Sequence, residues 1–252
     1  MWNKPHLLNA LADLLFVAGM AALLAAAAVW LVRMPALPIR QVVFAQELQH
    51  VRRLDVEQAL PAALKGNFFS VNLEAVRGAL EKLPWVRKVE VRRIWPAKLE
   101  VRVEEHRAAA RWEDGHNPGR GELVNTYGET FPAALAEEDA AGLPRLYGPL
   151  GTAPELLKRY GEFTAAFRTV GQKPVQVVQS PRLAWQLKLD NGMVVDLGRE
   201  QPKAPLGTRL QRFVEVYPAM VAARPALPSV VDLRYPNGFA MRVAGSEVKG
   251  KQ

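Results

Sequence analysis

No cysteine occurs in the 252-residue chain. That excludes a disulfide framework, a cysteine-built zinc cluster and a thiol nucleophile, and leaves the redox compartment open. Histidine is scarce: His6, His50, His106 and His116 are the four present, and no two are spaced for a metal-binding helix or a catalytic triad. H-E-x-x-H, G-x-S-x-G and a phosphate-cradling glycine loop are all missing. Adjacent carboxylates occur at Glu104-Glu105 and Glu137-Glu138-Asp139. Neighbours on a strand point to opposite faces, so the first pair does not converge on a substrate, and both clusters read as solvated surface. Nothing in these residues supports catalysis. No single tract collects the basic residues either. A net charge of +8 admits a nucleic acid or an anionic membrane, but the lysines and arginines are spread along the chain. A solvated basic surface beside a membrane is the simpler account.

Only one long hydrophobic run is present. Leu14 to Val32 is 19 residues without a charged or strongly polar side chain. As a helix it covers about 28 Å, close to the ~30 Å hydrocarbon core of a bilayer. Its backbone closes its hydrogen bonds internally, as lipid requires. Asp13 and Arg33 bound the run, and Trp30 lies where an indole prefers the headgroup region. The competing reading is a cleaved signal peptide, with Lys4 as a basic start and Ala25 to Ala28 as an A-x-A-like site. Val29-Trp30-Leu31-Val32 continues the apolar run past such a cut, which favours an uncleaved anchor. A core helix of a soluble protein would be amphipathic, and this one is apolar all round. Lys4 and the α-amine stand against Arg33 and Arg40, so flanking charge sets no orientation.

About 215 residues follow the anchor, enough for one large domain or two of ordinary size. Their composition belongs to a globular chain, at 49% apolar and 23% charged residues overall. Met34 to Pro38, with two prolines, reads as a stiff spacer. Strand character at Ile39 to Phe44 is followed by helical patterns at Asp55 to Leu64 and Leu73 to Leu83, the second closed by Pro84. Val86 to Ile94 and Lys98 to Arg107 read as strands about a Trp95-Pro96-Ala97 turn. In the latter, Leu99, Val101 and Val103 point one way and Glu100, Arg102 and Glu104 the other. The order βααββ predicts a small α+β unit with helices on one face of a sheet. The hairpin carries Arg87, Lys88, Arg92, Arg93, Lys98, Arg102 and Arg107, interleaved with Glu90, Glu100, Glu104 and Glu105. Cross-strand charge pairing explains that pattern better than nucleic-acid binding, since no aromatic series for base stacking runs along it.

These residues resemble a known family. Segment 39–112 is similar to a POTRA domain, and "NFFSVNL" at 67–73 with "PWVRKVEVRRIWPAKLEVRVEEHRAAARW" at 84–112 resemble the FtsQ/DivIB bacterial cell-division proteins. The likeness continues through "LPRLYGP" at 143–149, "SPRLAWQLKLDNGMVVDLGR" at 180–199, "RLQRFVEVYP" at 209–218 and "VDLRYPNGFAMR" at 231–242. It implies a cytoplasmic tail at 1–13, a transmembrane helix at 14–33, a linker at 34–38, a POTRA domain at 39–107, a β domain at 108–244 and a polar tail at 245–252. It further implies an inner-membrane scaffold at the division septum, with its bulk in the periplasm and no cofactor or small-molecule substrate. Two other readings compete: a POTRA-bearing assembly factor for secreted or outer-membrane proteins, and a wall-modifying enzyme. The first would require a C-terminal barrel, for which too little chain remains.

The Gly/Pro-rich stretch Asp114 to Gly121 reads as a loop, one without a counterpart in the family pattern. Leu123 to Asn125 and Glu129 to Phe131 are short strand candidates about Tyr127-Gly128. Thr152-Ala153-Pro154-Glu155 has the pattern of a capped helix start, and Leu156, Tyr160, Phe163 and Phe167 form the stripe behind it. Val175 to Gln179, then Trp185 to Leu189 and Met193 to Leu197 about Asp190-Asn191-Gly192, read as strands. Leu206, Leu210, Phe213 and Tyr217 make a second helical stripe, and Val230 to Tyr235 with Phe239 to Ala244 a closing hairpin about Pro236-Asn237-Gly238. The second domain is therefore expected to be β-rich with two helices. The last strand ends the domain, which makes it a candidate sheet edge and a template for a partner strand. The resemblance implies that the small anchored protein FtsB docks at this end, that FtsL joins it, and that other divisome proteins assemble on the chain. It marks Arg199, Arg234 and Tyr235 as contact residues, with Phe239, Ala240, Met241, Arg242 and Val243 as the strand that is extended.

Overall fold

The computed structural model describes residues 5–33, 38–114, 117–223, 227–235 and 238–243. Most of the 34–38 spacer, the Pro236-Asn237 turn, Ala244 and the 245–252 tail lie outside the described residues. Helix α1 runs Pro5–Arg33, with the apolar span at Asn9–Trp30. It thus starts before the apolar run, with proline in the first turn, where its missing N–H costs nothing. Asp13 is one of its exposed helical residues rather than a boundary. The span's side chains are exposed throughout, which leaves them for a bilayer to cover.

The chain divides into two compact units, residues 1–105 and 106–252. The first carries β1 (Gln41–Phe44), α2 (Arg53–Ala63), α3 (Leu73–Leu80), β2 (Val86–Ile94) and β3 (Lys98–Glu105). Among the described residues these strands form one sheet in the order β1-β3-β2, with β1 parallel to β3 and β2 antiparallel to it. The central strand buries Leu99, Val101 and Val103 against Val56 and Leu60 of α2 and Val76 and Leu80 of α3. Leu83 precedes a proline, a position that disfavours helical backbone, so α3 stops at Leu80 and not at Pro84. Register places Lys88 opposite Glu104, Glu90 opposite Arg102 and Arg92 opposite Glu100, and Arg92 and Glu100 form an ion pair. Arg87 pairs with Glu104 at 2.8 Å. The basic hairpin is largely a charge ladder.

The second unit adds β4 (Ala108–Asp114), β5 (Asn117–Asn125), β6 (Thr130–Phe131), α4 (Glu137–Ala141), β7 (Arg145–Gly148), α5 (Ala153–Arg168), β8 (Pro174–Gln179), β9 (Ala184–Leu189), β10 (Val194–Arg199), α6 (Leu206–Ala222), β11 (Pro228–Asp232) and β12 (Ala240–Val243). Among the described residues they form a nine-stranded sheet in the order β12-β11-β10-β9-β8-β7-β4-β5-β6. β7 and β8 are parallel neighbours joined through α5, as β10 and β11 are through α6. Both crossovers step the same way between strands of the same direction, so a single handedness puts both helices on one face. There Phe163, Phe167 and Phe213 pack with Trp185, Leu187, Val195, Leu197 and Val231.

Three expectations fail here. The 114–121 loop is largely the continuation of a hairpin, with Asp114 paired to Asn117. A third, five-residue helix, α4, begins on the Glu137-Glu138-Asp139 cluster, where carboxylates complement the helix N-terminus. Thr152 does not cap α5, because its hydroxyl donates to the carbonyl of Pro149 at 2.7 Å.

Glu105 is more than solvated surface. Its carboxylate accepts the backbone N–H groups of Gln49 at 2.9 Å, His50 at 2.9 Å and Val51 at 2.8 Å, and so pins the loop before α2 to the end of β3. Burial pushes its carboxyl up, but the N–H groups of Gln49, Val51 and His50 outweigh this and hold it below the ordinary glutamate value. A carboxylate with a lowered folded-state pKa contributes stability above its unfolded value, and loses it as pH falls through the folded one. Glu105→Ala is expected to cost about 1–2 kcal/mol at neutral pH. It should also flatten the acid limb of the stability curve below about pH 5. Thermal melts of both proteins across that range check the two effects, and parallel acid limbs would refute this role for Glu105.

Candidate partner-binding edge

β12 terminates the sheet order among the described residues, with β11 as its neighbour. Its side chains alternate: Met241 and Phe239 just ahead of it pack on the core, while Ala240 and Arg242 are exposed on the face opposite the helices. Phe239 meets Phe213 edge-on, with ring centroids 5.5 Å apart. The apolar area expected of Phe239 toward a partner is therefore used inside the domain, and Val243 is half-buried on the same side as Met241. Ser229 Oγ donates to the carbonyl of Arg242 at 3.1 Å, which turns that carbonyl toward β11.

Arg234 and Tyr235 follow β11 after buried Leu233. Tyr235 is 55% exposed and presents its ring to solvent. Arg234 has a structural task. Asp196 of β10 and Asp232 of β11 lie side by side in the parallel register, two like charges on adjacent strands. The Arg234 guanidinium bridges them, donating through Nη2 to Asp232 Oδ2 at 2.6 Å and lying 3.8 Å from Asp196 Oδ2. The hydrogen bond to Asp232 holds the Arg234 pKa above its ordinary value and the Asp232 pKa below its own. The stem of Arg234 lies on Gly198, where a Cβ would come within 2.7 Å of Arg234 Cγ. Gly198 sits at a bulge in β10 with φ +64°, a conformation that glycine adopts without strain. Arg199 is exposed immediately after it, on the last residue of β10.

Beneath this surface lies a residue that did not stand out as functional. Arg209, on α6, is 3% exposed. Its guanidinium donates to the carbonyls of Ala204 at 2.9 Å, Leu233 at 3.1 Å, Arg199 at 2.6 Å and Leu197. Burial pushes its pKa down, opposed by the nearby charge of Glu200. Glu200 in turn accepts the N–H of Leu206 at 2.8 Å, supplying the α6 cap that Pro205 lacks. One signal was available: Arg209 lies three residues after Leu206 and four before Phe213, on the apolar stripe.

Neither histidine with a described side chain gives a site. His106 is buried against Phe131, ring centroids 4.1 Å apart, with its Nδ1 2.9 Å from Asn125 Nδ2. His50 stacks on Trp85 at 4.2 Å. The side chains of His6 and His116 are outside what is described. Among the described residues, no group of three or more His, Asp or Glu side chains converges as metal ligands.

An apolar anchor, a βααββ unit and a mixed-sheet domain whose described strand order ends in the four-residue β12 define a membrane-tethered POTRA protein. Residues 37–106 match the POTRA domain of FtsQ type, and residues 110–234 match the C-terminal region of cell division protein FtsQ/DivIB. Cell division protein FtsQ of Burkholderia pseudomallei is 40% identical over 245 residues, spanning 97% of this chain and 95% of that protein. The Bordetella pertussis protein of the same name is 37% identical over 97% of this chain and 93% of its own length. That of Neisseria gonorrhoeae is 32% identical over 100% and 99%. The chain belongs to the FtsQ/DivIB family of cell division proteins.

Arg209→Met leaves four carbonyls without their donor and is expected to destabilise the second unit by about 3 kcal/mol. Arg209→Lys should recover only part, since an ammonium has three donors in place of a planar fork of five. Urea denaturation of the three proteins measures this. Coincident midpoints would mean that the guanidinium carries none of the load.

Proposed function

We propose that the chain is a non-catalytic assembly scaffold of the division machinery, anchored in the inner membrane with its N-terminus in the cytoplasm and the POTRA and β domains in the periplasm. At the septum it takes a strand of FtsB on β12, FtsL joins the complex, and the assembly controls when septal wall synthesis begins. Family membership supports the division role. The position of β12 at the end of the sheet order, with Tyr235 exposed after β11 and Arg199 exposed at the end of β10, is the observation that carries the docking surface. Strand addition supplies main-chain hydrogen bonds, and the exposed side chains supply selectivity. Arg242 and Ala240 replace Phe239 as the β12 side chains offered to a partner, because Phe239 packs inward.

Tyr235 gives the cleanest test, since Arg234 is also tied to Asp196 and Asp232. Tyrosine at an interface centre typically costs on the order of 2 kcal/mol on truncation, roughly a thirtyfold loss of affinity. Tyr235→Ala is expected to weaken an FtsB periplasmic peptide by about that factor with little change in melting temperature, and Arg242→Glu to weaken it as well. Titration calorimetry reads both, and unchanged affinity in two folded variants would place the partner elsewhere.

The anchor has its own test. A reporter fused after Gln252 should be active only in the periplasm, on a full-length chain that sediments with membranes. A shortened, freely soluble product would establish cleavage instead.

A further inference from the structure

The tip of the POTRA hairpin carries an aromatic surface that the division reading does not use. Trp95 is 65% exposed and Phe69 46% exposed. Their rings lie 6.3 Å apart, and both contact the buried ring of Phe68, at 5.7 Å from Trp95 and 5.3 Å from Phe69. Ile94 is exposed beside them.

This surface is held rigidly. Asn67 Oδ1 accepts the N–H groups of Phe69 at 3.0 Å and Ser70 at 2.9 Å, folding the loop on itself. Gly66 has φ +110°, and a Cβ there would meet Ser70 Oγ at 2.7 Å. From the hairpin, Arg93 donates to the carbonyls of Phe68 at 2.8 Å and Val71 at 2.8 Å, tying the loop to β2. Two large aromatics are thus presented to water by a built platform, at no gain to the core.

Charge and position say what covers them. Three segments meet at the tip, 38–41, 64–71 and 93–98; they contain Arg40, Lys65, Arg93 and Lys98 and no aspartate or glutamate, while Glu100 further along β3 is paired with Arg92. The N–H of Arg40 donates to the carbonyl of Ala97 at 2.9 Å, so the chain enters the domain at this tip. Seven residue steps separate Arg40 from Arg33, the last residue of the anchor helix. Seven steps span at most about 25 Å. The tip is therefore tethered close to the bilayer, while β1 and β3 run away from it and carry the 45–52 connection and Leu54 to the opposite end. Indole and phenyl rings ringed by cations fit the headgroup layer of an anionic bilayer.

We propose that this tip is a lipid-docking foot, with Phe69 and Trp95 seated among the headgroups and Arg40, Lys65 and Lys98 against phosphates of anionic lipid. It rests on the anchor reading and is independent of what binds β12. Docking fixes the tilt of the POTRA domain on the membrane surface.

The absence of cysteine makes single-site labelling direct. Full-length Ile94→Cys and Leu54→Cys are spin-labelled and reconstituted into nanodiscs of phosphatidylethanolamine with phosphatidylglycerol, and into nanodiscs of phosphatidylcholine. In the anionic discs, the label at 94 should collide preferentially with oxygen over an aqueous nickel chelate, and the label at 54 should show the reverse. The preference at 94 should fall in phosphatidylcholine and in high salt. A label at 94 as aqueous as that at 54 in the anionic discs overturns the proposal. So does one that is shielded only in native membrane vesicles, where a protein would be the cover. Equal immersion in phosphatidylcholine overturns the recognition of anionic lipid. Phe69→Cys repeats the measurement if circular dichroism shows that Ile94→Cys is misfolded, and failure of membrane insertion would register separately as loss of both labels from the discs.

Discussion

The second unit turns on a buried guanidinium that donates to carbonyls at four chain positions. Strands that end inside a domain release backbone carbonyls from the ladder, and each must find a donor or pay the cost of desolvation. Arg209 meets that demand at the end of β10, just after β11 and at the approach to α6. Few side chains could, since only arginine brings five donors in one plane. These chain ends are consequently fixed relative to one another. The exposed side chains at or just after these chain ends, Arg199, Arg234 and Tyr235, inherit defined positions from them.

Above this joint, Arg234 performs a second neutralisation. The parallel pairing of β10 and β11 sets Asp196 beside Asp232, an arrangement that would repel without a cation between them. Arg234 is thus committed within the domain, which separates it from Tyr235 and Arg242, whose side chains are exposed. The POTRA hairpin shows the same economy of charge. Along its length, arginine and lysine stand opposite glutamate, so the basic character of the chain does not become a nucleic-acid surface. The imbalance is concentrated at the tip, where carboxylates are missing.

Legibility from sequence followed the strength of local pattern. Val86–Ile94 was readable to the residue because β-branched residues and a sharp turn bound it, and the Leu206, Leu210, Phe213 and Tyr217 stripe is buried as its spacing implies. The 114–121 stretch misled because proline and glycine usually mark loops. Asn117 pairs with Asp114 and Glu122 with Trp112 of β4, while β6 reaches only Leu123 and Val124, and such half-free strands tolerate proline. α4 has five residues and too little length for a period to show. Thr152 had the right residue type for a cap, but its hydroxyl went to a nearer carbonyl. At the candidate site, the edge was legible from the position of the last strand. The inward turn of Phe239 required the α6 core, and the role of Arg209 required the ends of two strands that are distant in sequence.

The order of strands across the sheet also has a consequence in time. From β8 onward, each new strand is laid outside the one before it, through β9, β10 and β11 to β12. A chain emerging from its N-terminus therefore builds this side of the sheet outward, and the β12 edge follows only once β8 to β11 are laid down. A truncated or half-folded molecule has no such edge to offer. Under the docking proposed above, a partner strand meets only molecules in which β8 to β11 are already laid down.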